Sequence, residues 1–283
     1  MEQITNTSSS TLRDGSTLYY SLLFLETAQR DRVARTLALI KVISTTLYDV
    51  SEPQVAEKKI HWWHEELARL SKQSARHPAC VDVQEYLNHV TAVNALLRLL
   101  STAANERYSP ITSESDWQEM LVADYGARIA LIDHALGNKE SVKQHDSVPL
   151  GLGQMHRLSS LAERLHNGYS VFSEERYAQY ELTPAQLLSD HAKGDALIQS
   201  ELTQIRTTLT QALQEQRNSE NRLNGSLLIQ IMTELRLSQV NVWIRRKPDL
   251  LRESITLTPL RKYFITYRTK RRFTKSSNAA IPS

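Results

Sequence analysis

Two arginines seven positions apart, Arg157 and Arg164, fall on one face of an expected helix, where their guanidinium forks could grip a phosphate without a metal. The competing reading leaves both in solvent or paired with acids such as Glu163, because long charged side chains usually stay exposed. His61 and Glu65 are spaced i, i+4 and could offer two ligands to zinc, but no other ligand shares that face, so a polar helix surface is the expectation. Cys80 is the single cysteine; it can form no disulfide within the chain and has no activating base nearby in sequence, which suits a buried structural thiol. Arg261, Lys262, Arg268, Lys270, Arg271, Arg272 and Lys275 crowd the last stretch, interleaved with Tyr263, Phe264, Tyr267 and Phe273. That pattern suits an anionic membrane surface or nucleic acid, but no nucleic-acid motif occurs elsewhere and none is expected as partner. The remaining choice is between contact with anionic lipid and a solvated helix end that frays.

These groups must be carried by helices. Glycines and prolines are few and separate long segments whose apolar residues recur at three- and four-residue steps. The pattern predicts helices over Leu18 to Phe24, Arg32 to Leu47, Val55 to Leu70 after Pro53, Val81 to Ala104 after Pro78, and Trp117 to Leu136 with Gly137 as a stop. Leu150 to Leu165 reads as one further helix. Thr183-Pro184 opens another, with Leu188, Ile198, Leu202, Ile205, Leu209 and Leu213 as its apolar stripe; Ser226 to Arg245 and a weaker Leu257 to Tyr267 close the set. With 283 residues and 41% hydrophobic content the chain can bury a substantial core, and no apolar run approaches the roughly 20 residues that cross a bilayer. The N-terminal stretch to Gly15 has neither a signal peptide's apolar run nor a transit peptide's arginines, so a cytoplasmic setting, possible also at a membrane periphery, is expected.

The segment from Ser16 to Leu25 followed by Arg30 resembles the opening helix of the squalene and phytoene synthase family, and Lys59 to Leu67, with Trp62-Trp63-His64-Glu65-Glu66-Leu67, is similar to that family's Trp-Trp-x-x-Glu-Leu helix. Tyr180 to Leu188 and Asp249 to Lys262 resemble later family segments. The resemblance implies an all-α fold: a single isoprenoid-synthase-like helical bundle around a central cavity, spanning 16–268, flanked by a flexible polar N-terminus (1–15) and a basic tail (269–283) without fixed structure. It also implies magnesium-dependent head-to-head joining of two allylic diphosphates, in which carboxylates on facing helices hold the cations that neutralise the leaving diphosphate. Tyr19 and Tyr20, with Phe24, would then line the hydrophobic cavity, although core packing explains them as well.

Read back without gaps from the Trp-Trp helix, the family's Asp-Asp-x-x-Asp positions fall on Ser44, Thr45 and Tyr48, none an ionised ligand. Asp49 is the nearest acid. The second aspartate motif corresponds to Leu152 through Arg164, which places Arg164 where an aspartate is expected, and a guanidinium there repels a divalent ion. The resemblance therefore suggests a catalytically degenerate relative without a cofactor, binding an isoprenoid or lipid ligand or serving as an assembly protein for a protein partner. Tyr19, Tyr20, Asp49, Arg157 and Arg164 are its candidate ligand contacts. The alternative is an active magnesium-dependent prenyltransferase that recruits Asp49, Asp124, Asp133 or Glu163.

Overall fold

In a computed structural model, residues 16–48, 50–109, 111–138, 145–189, 191–218, 224–253 and 255–278 are described; Asp49 and the flexible N-terminus expected over 1–15 lie outside them. The described residues form helices, turns and loops, with no strand among them. None of the described helices is long and apolar enough to cross a membrane. The chain divides into two compact units, one of residues 1–110 and 123–142, the other of 111–122 and 143–283.

The first unit is built from α1 (Thr17–Ser21), α2 (Thr27–Ser44), α3 (Pro53–Ser71), α4 (Pro78–Val81), α5 (Gln84–Leu87), α6 (Val90–Tyr108) and the later part of α7 (Glu114–Ala135). Ser16 caps α1 by accepting from the Tyr19 amide at 3.0 Å, and Pro53 and Pro78 sit in the first turns of α3 and α4, where a missing N–H costs nothing. Leu39, Ile40 and Ile43 of α2, Trp63, Leu67 and Leu70 of α3, Leu96, Leu99 and Leu100 of α6 and Leu131 of α7 share one core. Each such side chain contributes about 1.5–3 kcal/mol by leaving water. Trp62 and Trp63 point apart as adjacent helical residues must: Trp62 is exposed and Trp63 buried.

A fully buried carboxylate fixes the chain beyond α3. Glu66 accepts from the backbone amides of Arg76 at 2.6 Å and His77 at 2.7 Å and from Arg69 Nε at 2.9 Å. Burial works against its charge, but the bonds from His77, Arg69 and Arg76 prevail and hold the carboxyl below its ordinary value. Cys80 lies nearby, its thiol pushed up to about 12 by burial and then by the Glu66 charge, which makes it the inert structural thiol expected. The helix expected from Val81 to Ala104 is instead three, α4, α5 and α6, interrupted at Val83 and at extended His89. Turning there lets Val83 and Leu87 both reach the core, a gain that outweighs the lost helical bonds. Gly137, at φ +88°, ends the unit's last helix in the left-handed region, as the sequence indicated.

The second unit contains the start of α7, then α8 (Ser147–Ser159), α9 (Leu161–His166), α10 (Glu174–Gln179), α11 (Pro184–Leu187), α12 (His191–Asn218), α13 (Asn224–Arg246) and α14 (Pro259–Asn278). α12 packs against α8 and α13, and α14 against α13. Ile198, Leu202, Ile205, Leu209 and Leu213 are buried along α12 as expected, but Leu188 is exposed, because the Thr183-Pro184 capping box starts only the short α11 and the chain turns before α12 begins. The expected Leu150–Leu165 helix breaks at Ser160, whose hydroxyl bonds the carbonyls of His156 and Arg157 and draws the backbone out of register. The terminal helix continues to Asn278, through residues expected to be a tail, because Ile265, Thr266 and Thr269 bury one face of it.

Candidate functional site

The end of α2 and the turn that follows it carry the three positions where the resemblance places metal-binding aspartates, and a cation belonging to the protein stands beside them. Arg128 of α7 donates from Nη2 to Ser44 Oγ at 2.9 Å. The same guanidinium forks onto Asp124, one turn earlier, with Nε to Oδ2 at 3.0 Å and Nη2 to Oδ1 at 3.2 Å, and lies 5.8 Å from the centre of the Tyr125 ring. Burial disfavours its charge, yet the Asp124 carboxylate, followed by Tyr125 and Tyr48, holds the guanidinium protonated. The Asp124–Arg128 pair is mostly enclosed, with side chains 6% and 15% exposed.

The other motif positions are turned to local structure. Thr45 Oγ1 donates back to the Lys41 carbonyl at 2.9 Å, a bond that closes α2. The neighbouring Thr46 hydroxyl accepts from Trp63 Nε1 at 2.8 Å and so ties the end of α2 to the Trp-Trp helix. Tyr48 is half-buried beside Arg128. Magnesium demands a near-octahedral set of hard oxygens and usually takes carboxylates and waters. Two hydroxyls, a phenol and an adjoining guanidinium do not fit it: the hydroxyls of Ser44 and Thr45 are neutral and engaged, and the Arg128 charge repels a second cation. Of the acids the enzyme reading would recruit, Asp124 is paired with Arg128, Asp133 is fully buried in α7, and Glu163 is exposed on α9; Asp49 lies outside the described residues.

In the second unit Arg157 and Arg164 are both buried, contrary to the expectation of solvent-facing side chains. The break at Ser160 places them on successive helices, α8 and α9, and not on one helical face. Each lies over an aromatic ring, Arg157 5.2 Å from the centre of Trp117 and Arg164 5.4 Å from that of Tyr169, and Arg157 Nη2 also approaches the Met120 sulfur at 3.9 Å. Flat, weakly hydrated guanidinium groups tolerate such burial far better than ammonium groups do. Glu163, their suggested partner, points to solvent.

Tyr19 and Tyr20 are half-buried and meet edge to face at 5.4 Å. His61 and Glu65 form an exposed pair at 3.2 Å. Among the described residues no three His, Cys, Asp or Glu side chains gather as a metal-holding group. Arg128 was not among the residues singled out from the sequence, although its i, i+4 spacing from Asp124 is the signal for such a pair. A buried cluster of the second unit also went unanticipated: Arg176 pairs with Glu201 at 2.6 Å, and Glu114 accepts from Ser173 at 2.9 Å. Burial pushes the Glu201 carboxyl up to about 7 against the pull of Arg176, with the Glu114 charge raising it further.

A family model described as squalene/phytoene synthase matches residues 12–241. Among solved structures, a dehydrosqualene synthase in complex with ligand superposes with a TM-score of 0.73 at 11% identity, covering 96% of this chain and 96% of that one. The squalene synthase HpnC from Alicyclobacillus acidocaldarius gives 0.66 at 14% identity, over 87% of this chain and 93% of that one. No curated protein sequence matches. The helix order and the Trp-Trp helix tied to the end of α2 thus accompany a likeness running almost the whole length of the chain, which belongs to the squalene/phytoene synthase family.

Proposed function

We propose that the chain is a catalytically degenerate member of its family, a helical scaffold that binds an isoprenoid or lipid, or serves assembly of a protein partner, without joining allylic diphosphates. The observation that carries this reading is Arg128, whose guanidinium sits against Ser44 at the first metal-binding position and is already neutralised by Asp124. The resemblance implies that a prenyltransferase of this family needs divalent cations there in order to stabilise a departing diphosphate, a task that hydroxyls cannot take over. Magnesium is accordingly no cofactor in this reading, and the reading is supported again by Arg164, which stands where the second motif calls for an acid.

Purified protein incubated with farnesyl or geranylgeranyl diphosphate and magnesium tests it. The expected result is neither pyrophosphate nor hydrocarbon, together with a thermal midpoint unchanged by magnesium, since a ligand that bound only the native state would raise it. Metal-dependent release of pyrophosphate with a hydrocarbon product would overturn the reading.

A further inference from the structure

α14 turns an apolar face outward where a terminal helix would ordinarily be polar. Leu260, Tyr263, Phe264 and Tyr267 are 83%, 49%, 62% and 48% exposed. Their spacing, i, i+3, i+4 and i+7, puts all four on one stripe. The opposite face is occupied: Lys262, Ile265, Thr266 and Thr269 are buried, so the stripe cannot turn inward without undoing the packing on α13. Tyr263 and Tyr267 stack at 6.4 Å with planes 12° apart, which holds two rings side by side on the surface.

Charge identifies what covers this stripe. α14 contains seven Lys and Arg and not one Asp or Glu, whereas the whole chain carries only +3, so the rest of the molecule is net acidic. Not all seven face outward. Lys262 is buried, with its ammonium pulled down by burial and by Arg236, and Arg268 and Arg272 lean toward Glu234 at 3.7 Å and 4.0 Å. Arg261, Arg271 and Lys275 are exposed, Arg261 beside the apolar stripe and the other two continuing it along the same side. A run of exposed aromatic and leucine side chains followed on the same side by unopposed cations is the arrangement of a helix lying in a lipid interface: rings at headgroup depth, basic groups on the anionic phosphates.

We infer that the outward face of α14 docks on anionic bilayers, with Leu260, Tyr263, Phe264 and Tyr267 entering the interface and Arg261, Arg271 and Lys275 holding the headgroups. The contact is peripheral, and it does not depend on whether the protein is catalytically degenerate. Full-length protein is sedimented with vesicles of phosphatidylcholine alone and of phosphatidylcholine with 30% phosphatidylserine, about the anionic content that gives a biological surface potential. Binding to the anionic vesicles only, weakened at least about tenfold by 0.5 M salt, is expected. Leu260→Ser with Phe264→Ser, and separately Arg271→Glu with Lys275→Glu, should each weaken it at least about tenfold. All four side chains are exposed, so circular dichroism and the thermal midpoint should stay unchanged. Absence of binding, or binding that neither pair alters, would overturn the inference. So would loss of self-association in the Leu260→Ser, Phe264→Ser protein with vesicle binding intact, since a second copy of the chain would then be the occupant.

Discussion

Replacing Arg128 by methionine tests the assignment of a built-in cation at the position where the resemblance places the first metal ligand. The substitution keeps the side chain's length and apolar stem but removes two bonds to Asp124 and one to Ser44. Asp124, whose side chain is 6% exposed, is left as a carboxylate without its counter-ion. Breaking an enclosed pair from one side costs about 3–5 kcal/mol, mostly as the penalty of the charge that remains. For a chain of this size that corresponds to a fall in thermal midpoint of about 5–8 °C. The double variant Arg128→Met, Asp124→Leu removes both charges and should return most of the loss, to within about 1–2 kcal/mol of the parent, because two enclosed charges replaced by apolar groups cost little. Urea unfolding of the parent, both single variants and the double variant closes a thermodynamic cycle whose coupling term is the pair itself. A single-variant loss under about 1 kcal/mol, the range of solvent-exposed pairs, would refute the reasoning: Arg128 would then be a mobile surface group, and the position would lie open to a metal.

Glu66→Gln keeps the shape that accepts from Arg76 and His77 but loses the charge, and should cost about 2–3 kcal/mol at pH 7 in urea titrations. Because the folded carboxyl sits below its ordinary value of 4.5, its contribution is full above that pH and disappears as the pH falls through the folded value, so parent and variant should converge in acid. Glu201 has the opposite sign: raised to about 7 from 4.5, it favours the folded state below pH 4.5 and loses that contribution as the pH rises through about 7. The parent should therefore lose stability between pH 5 and 8 by up to about 3 kcal/mol, and Glu201→Gln should flatten that profile; parallel profiles would exclude the assignment. A Cβ on Gly151 would lie 2.8 Å from Cδ2 and 3.2 Å from Cγ of Leu209, which is itself fully buried. Gly151→Val should lower stability by about 1–3 kcal/mol by forcing α8 off α12, measured as a shift in urea midpoint.

The helices that hold these groups were legible wherever one face is buried along the whole length. Arg32 to Leu47 became Thr27–Ser44, Val55 to Leu70 became Pro53–Ser71, and Trp117 to Leu136 became Glu114–Ala135, with Pro53 and Gly137 marking ends that their own backbone chemistry imposes. What could not be read was a break inside an apolar pattern. Ser160 stops a helix by bonding the carbonyls behind it, and the period of the flanking leucines passes through such a break unchanged. That one break separated Arg157 from Arg164. Their burial was hidden as well, since it depends on Trp117 and Tyr169, rings distant from or outside the helix that the periodicity describes. The burial of Lys262 is equally illegible, because a charge pattern does not say which face a helix packs.

That Ser44, Thr45 and Tyr48 are not acids is plain in the sequence; the Arg128 guanidinium that stands beside them is not. A helix end designed around clustered carboxylates repels itself unless cations are bound, so losing the cations while keeping the acids would destabilise the fold. Here Ser44 and Thr45 at the end of α2 carry no charge, and a nearby enclosed acid, Asp124, is neutralised from within its own helix by Arg128. The hydroxyls of Ser44 and Thr46 then serve structure, one accepting from Arg128 and the other from Trp63, so that the same segment links α2 to α7 and to α3 within the first unit. The Arg128 guanidinium, the Asp124 carboxylate and the Trp63 indole N–H each find a partner within the protein. On the proposed reading, an aspartate placed at Ser44 alone would complete an arginine pair with two carboxylates sooner than it would create a metal site.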